Sequence, residues 1–375
     1  MADNSGKLRT RTKVFYGIGD LGNAVVNSAI QFFLMKFYTD GALILPALAG
    51  NALLIGKIWD AINDPLFGWV TDKTKSRFGK RRVFMLFGAI PLAIAIALLW
   101  YVPAANRIWT FVWIALTFML FDTVWTLTNV PYYALTSELT DDYDERSSLT
   151  TYRMVMAVPA YLLGAAVTPA IVGLFALQRT GYAFIGILYG VIAAVALLIS
   201  AAGFRERQVA VEAKSEPNPF KSMSAALRNK PFVWLCGTYL VINLSFAFIK
   251  ILMAYYIQYQ LLMASQTTPV MGLMLVCVTI SLPFWQWLAR KMDKGPAYGL
   301  GMAVGALAVV LTFFLPHQST WLIYVISVLA GFGFSAQWIF PWAMVADVAD
   351  YDRLETGQQR SGMYYGVWGL ATKIS

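Results

Sequence analysis

Apolar residues run along this chain in long blocks, each broken by a short polar loop. Ten blocks are complete, at roughly 14–38, 43–70, 83–103, 108–135, 150–174, 181–203, 232–260, 267–289, 297–316 and 320–346. An eleventh begins near Ser361 and is cut off at Ser375. A bilayer core about 30 Å thick needs about 20 helical residues to cross it, and these blocks have that length. Backbone polar groups have no water partner in hydrocarbon, so each block must close its own hydrogen bonds as a helix. The pattern predicts an all-α, polytopic membrane protein.

Composition agrees. The chain is 58% hydrophobic and 13% charged, against about 25% charged in an average soluble domain, and its mean hydropathy is +0.59. The net charge of +9 does not point to nucleic acid, because the cations sit in alternate loops. Lys7, Arg9, Arg11 and Lys13 precede the first span. Lys73, Lys75, Arg77, Lys80, Arg81 and Arg82 follow the second, and Arg290, Lys291 and Lys294 follow the eighth. The intervening loops hold only Arg107 and Arg179. The positive-inside rule then places the N-terminus and the even loops in the cytoplasm. The first apolar run is too long for a cleaved signal peptide. Cys236 and Cys277 fall inside apolar runs, so free, buried thiols are expected.

The longest polar stretch, residues 204–231, divides six spans from the rest. The segments around it repeat. "PYYALTSELTDDYDERSS" from Pro131 ends the fourth span and "PWAMVADVADYDRLETGQQRSG" from Pro341 ends the tenth. Each has Pro, then Asp-Tyr-Asp, then Arg-Ser. A six-span offset between like segments implies two parallel repeats with a binding site between them. The expected organisation is a six-helix bundle over 1–203, a central cytoplasmic loop over 204–231 and a second bundle over 232–375. Twelve spans are expected on that pattern, and the chain reaches only the start of the eleventh.

Into the second span the sequence places "KIWDAINDPLFGW". Each ionised Asp near a bilayer centre costs roughly 2.5–3.5 kcal/mol. Asp60 and Asp64 are about 40° apart around a helix and share a face, with Asn63 and Lys57 close by. Pro65 opposes the carbonyl of Ala61 and frees a backbone oxygen in that turn. Two readings are open: a buried ion pair that joins helices, or a cluster of hard oxygens for a cation. Sodium, lithium and a shared proton all suit such oxygens. The fourth span adds Asp122, Thr126 and Asn129; for Asp122 the candidate partners are Lys57, Lys250 and Arg153. Asp20 and Asn23 lie among Gly17, Gly19 and Gly22 in the first span, where the glycines also allow close helix packing. Arg153 either anchors the fifth span at the cytoplasmic surface or faces a cavity. Lys36 reaches the outer interface. In "GWVTDKTKSRFGKRR" the basic residues set orientation, and a sharper reading joins Asp72 to Arg77 or Arg81 as a cytoplasmic gate.

These segments carry a resemblance. "YGIGDLGN", "FYTD", "IWDAINDPLFGWVTDKTKSRFGKRR", "NVPYYAL" with "DDYDERSSLTTYR", and "MVADVADYD" are similar, in order, to the glycoside–pentoside–hexuronide cation symporters of the major facilitator superfamily. The resemblance covers essentially the whole chain and implies that superfamily's fold. It implies a sodium site at Asp60, Asn63, Asp64 and Thr126, with H+ or Li+ as other coupling ions and no further cofactor. It implies a sugar site matching Asn23, Asn129, Tyr133, Arg153, Trp338 and Lys373, to which Asp20 is added. The chain departs from melibiose permeases: it has Asn23-Ala24 where they have Lys-Asp, Asn129 where they have Asp, and Tyr133 where they have Trp. "GDLGN" and "NVPY" are closer to glucuronide carriers, in which Arg153 and Lys373 would meet a substrate carboxylate. The expected activity is cation-coupled symport of a sugar-like solute by a monomer among membrane lipid. One rival is a lysolipid carrier, since animal lysolipid carriers of the same branch keep the second-span aspartates. Another is a non-transporting sensor. No His/Ser/Cys constellation or phosphate loop supports an enzyme.

Overall fold

The computed structural model describes residues 8–74, 76–103, 106–140, 142–204, 219–263, 266–316, 320–358 and 360–374. Six long helices come first: α1 (Thr10–Lys36), α2 (Pro46–Lys73), α3 (Arg82–Leu99), α4 (Arg107–Leu139), α5 (Tyr143–Val172) and α6 (Gln178–Gly203). A short amphipathic helix follows, α7 (Pro219–Arg228). Then come α8 (Lys230–Tyr255), α9 (Thr267–Met292), α10 (Lys294–Thr312), α11 (Thr320–Phe334), α12 (Ala336–Thr356) and α13 (Ser361–Ile374). The all-α expectation holds. Seven helical stretches among the described residues are long and apolar enough to cross a bilayer, and the protein is a multi-pass membrane protein. Neither α1 nor α2 is among the seven. The polar side chains that interrupt their apolar faces are the ones gathered at the site below.

Local chemistry explains the boundaries. Pro46 opens α2, where its missing N–H costs nothing. The Asn106 side chain accepts the Trp109 amide at the start of α4, and Asp142 accepts the Glu145 amide at the start of α5. Gly357, at φ 69°, ends α12 in the left-handed region. Three features depart from the sequence reading. The tenth apolar block is a pair of helices parted at Ser335, and its second member runs to Thr356. The central loop contains α7, whose Ser222 and Ala226 are buried. Cys236 and Cys277 are free but half-buried rather than buried.

α1 packs on α5 and α6, α3 on α4 and α6, and α2 on α4. Their shared core includes Tyr16, Trp100, Ile114, Tyr132 and Leu197. Later helices meet this group along two lines: α13 lies on α2, and α9 lies on α5. The face that carries Thr10, the α2–α3 and α4–α5 loops, α7 and the α12–α13 turn is here called the N-side. α1 and α8 both end, on the opposite side, in a five-residue π turn, Phe37–Gly41 and Tyr256–Gln260. In each, a leucine stands two residues further on at φ 56°, Leu43 and Leu262.

Candidate functional site

The α2 acids face inward. Asp60, Asn63, Asp64 and Thr126 are each at most 2% exposed, too little to be satisfied by bulk water. Thr126 Oγ1, on α4, donates to Asp64 Oδ1 at 2.6 Å. Asn63 Nδ2 donates to Asp122 Oδ2 at 3.1 Å. Asp122 thus meets an amide from α2, not Lys57 or Arg153 as the sequence suggested; the side chain of Lys250, the third candidate, lies outside the described residues. Lys57 Nζ stands 3.6 Å from Asp60 Oδ2, but its side chain is 55% exposed, so it is a wet and weak partner. The structure therefore brings all four residues of the expected cation set together, with Asp122 added from α4. Asn63 Oδ1 accepts no hydrogen bond. The group offers carboxylate, amide and hydroxyl oxygens, the donors that hard cations take.

Arg153 is 1% exposed and is not a surface anchor. Its Nε and Nη2 each stand 3.0 Å from Asp20 Oδ2. The guanidinium lies 4.5 Å from the Tyr133 ring centroid and 5.3 Å from that of Trp342, with Tyr132 and Tyr16 also near. Such stacking stabilises a desolvated cation on π faces. Tyr16 and Tyr132 lock α1 to α4: each hydroxyl donates to the other's backbone carbonyl, at 3.0 and 2.6 Å. Asn23 Nδ2 donates to Asn129 Oδ1 across the same two helices. Asp20 and Asn23 are thus tied to polar partners, and glycine packing accompanies this rather than replacing it. The Lys373 side chain lies outside the described residues.

A cavity of about 760 Å³ adjoins both groups. Asp60, Asp64, Thr126, Asn129, Tyr133 and Trp338 line its polar side. The wall formed by α9 and α11 is apolar, with Met271, Met274, Leu275, Val278, Ile326 and Ala330. The lining continues to Gln31 and Met35 near the far end of α1 and to Thr312 at the end of α10, on the side opposite the N-side.

Towards the N-side the cavity is shut by ion pairs. Arg81, fully buried at the start of α3, meets Asp72 at 2.5 Å and Glu138 at 2.8 Å. It also donates to Thr71 and Ser361, both at 2.8 Å. Burial works against the Arg81 charge, but Glu138 and Asp72 more than offset it and raise its pKa. Asp72 accepts the backbone amides of Gly362 and Met363 at 2.8 and 2.9 Å, so it caps α13 from another helix. Beside this, Arg146 bridges Asp347 and Asp350 at 3.1 and 3.0 Å, and Lys294 meets Asp347 at 2.5 Å. Of the expected gate residues, Asp72 and Arg81 come together. Arg77 does not: it is exposed and rests over the Phe78 ring at 4.8 Å. Glu138, Arg146, Asp347 and Asp350 were not singled out from the sequence, where their only signal was charge at the ends of the two repeated segments; Lys294 was read there only as an orientation charge.

Two clusters of buried polar residues on a helical membrane scaffold, around a cavity shut at one end, form the arrangement of a membrane carrier. The chain matches the MFS/sugar transport protein family over residues 15–375, and it belongs to that family. An uncharacterized symporter of Synechocystis is 28% identical, with 98% of this chain and 83% of the relative aligned. A sodium-dependent lysophosphatidylcholine symporter of Danio rerio is 28% identical, covering 97% of this chain and 75% of the relative. A bacterial homologue of the iron transporter ferroportin, solved in an outward-facing state with soaked iron, superposes at a TM-score of 0.67. It is 15% identical over 98% of this chain and 89% of its own, so it speaks to the fold alone. The fold is that of the major facilitator superfamily.

Proposed function

We propose that the protein is a sodium-coupled symporter that alternates access to its central cavity. The observation that carries this reading is the burial of Asp60, Asn63, Asp64 and Thr126 on two neighbouring helices, with Asp60, Asp64 and Thr126 in the cavity wall. A carboxylate pair this dry is costly when ionised and alone. A cation entering the site neutralises part of that charge and lowers the cost of closing the two helical halves around it. Coupling is then the difference in free energy between cation-loaded and empty states. Lithium or a proton acting on the same oxygens is the alternative coupling ion. The N-side is the cytoplasmic face of the cell membrane on this reading, because the basic loops lie there. The helices before and after the central loop act as the two rocking bodies.

The solute has an acceptor-rich head and an apolar part. Arg153, with its four aromatic neighbours, suits an anionic or polar head, and the α9–α11 wall suits an apolar chain. The named relative that handles lysophosphatidylcholine supports that class. A glycoside or hexuronide is the second reading, favoured by the paired amides Asn23 and Asn129 beside the cavity. Purified protein in proteoliposomes tests both. Sodium-driven accumulation of a radiolabelled lysolipid, competed by other single-chain amphiphiles but not by glucuronides, supports the first solute class. The reverse pattern supports the second, and accumulation of neither under a sodium gradient removes the symport reading.

A further inference from the structure

All the oxygens assigned to the cation come from α2 and α4, yet α13, from beyond the central loop, lies against the same turn. Gly362, Gly366 and Gly369 of α13 form the contact. A methyl group added at Gly362 would stand 2.5 Å from the Gly68 carbonyl oxygen, and one at Gly366 2.5 Å from the Asp64 carbonyl oxygen. Both neighbours are helix backbone and cannot yield, so these two glycines set the helix separation. The third position differs in kind. A methyl at Gly369 would stand 2.7 Å from Asp64 Oδ2, the tip of a side chain that can turn away. The other carboxylate oxygen of Asp64 is held by Thr126 at 2.6 Å. One residue earlier, Asn63 Oδ1 is buried and accepts no hydrogen bond, as an oxygen reserved for a ligand would be.

We propose that Gly369 is a positioning residue for the cation site: the bare α13 backbone fixes the Asp64 carboxylate, and the site is complete only while α13 rests on α2. This deepens the cation reading and rests on it. The other end of α13 is capped by Asp72, the acid that also meets Arg81. The same helix therefore touches the N-side latch with its first turn and the cation carboxylate two turns later. Cation binding and closure of the N-side are then favoured together. That is the order of events a symporter loading from the opposite side requires.

The test is a sodium titration of thermal stability in the purified full chain, with choline replacing sodium. Gly369→Ala should melt as the wild type does in choline and need at least tenfold more sodium for half-maximal stabilisation. In the Asp64→Asn background the same substitution should add nothing, because it acts through that carboxylate. Gly366→Ala, which meets backbone, should instead lower the melting temperature in choline. Asp64→Glu keeps the charge but has no room for its extra methylene against Gly369, so it should lose the sodium response as Asp64→Asn does. A wild-type sodium response in Gly369→Ala or in Asp64→Glu overturns the inference, as does an equal loss of stability by Gly369→Ala in choline and in sodium. Retention of the sodium response by Asp64→Asn overturns the cation reading itself, which is a distinct result.

Discussion

The two ends of the cavity are built from different physics. The N-side end is closed by directional contacts between buried charges: Arg81 with Asp72 and Glu138, Arg146 with Asp347 and Asp350, and Lys294 with Asp347. The wall leading to the opposite end presents Met271, Met274, Leu275 and Val278, groups with no preferred partner. Charge pairs out of water lose heavily when one member departs, so they favour two discrete states, paired or parted. Apolar side chains, methionine above all, tolerate many arrangements at similar cost. On the proposed reading the difference suits one end to gating and the other to accommodating solute.

Substitutions can break or sharpen this contrast. The largest effect is expected from Arg81→Gln, which leaves Asp72 and Glu138 buried without their shared cation; loss of one partner of such a pair costs about 3–5 kcal/mol. Transport should fall to background, and a cysteine placed on the N-side should react with a maleimide at least tenfold faster. Next comes the pair Asp60→Cys and Asp64→Cys, each expected to abolish cation-stimulated uptake while leaving N-side labelling in sodium-free buffer as it was. Sodium-stimulated accumulation retained by both would remove the cation assignment. Arg146→Gln should have a middling effect, a severalfold rise in labelling, because Lys294 still holds Asp347. At the other end, Met274→Gln should weaken lysolipid competition severalfold and leave labelling alone. The smallest effect belongs to Arg77→Gln, within about 0.5 kcal/mol of the wild type in stability, as for an exposed residue whose described contact is an exposed ring.

Some of this arrangement was legible in the chain and some was not, and the dividing line is sequence separation. Asp60 and Asp64 share a face because a helix returns to it every four residues, so their convergence needed only the helical period. Asp72 and Arg81 are close in sequence, on either side of one loop, and that contact too was within reach. Arg77 stands in the same loop with the same charge, and only the course of the chain after Gly79 decides that Arg81 turns inward. The pairing of Arg153 with Asp20 joins α5 to α1, and that of Arg81 with Glu138 joins α3 to α4. Nothing local specifies which of several buried carboxylates an arginine will meet. The interruption at Ser335 was hidden for another reason: a serine among apolar residues does not disturb a hydropathy profile, and its own backbone stays in the right-handed helical region.

The neutral state of the Arg153 pocket sets a limit on how tightly it grips a visitor. The guanidinium is already matched by Asp20 through Nε and Nη2, and its Nη1 makes no hydrogen bond, so on the proposed reading an arriving anion takes Nη1 and shares a charge that is already neutralised. Binding to a shared charge is shallow by construction. When the visitor leaves, the Asp20 pair is still in place, and no bare charge is left buried. For a machine that must discharge its load on every turnover, weak retention at this point is an asset.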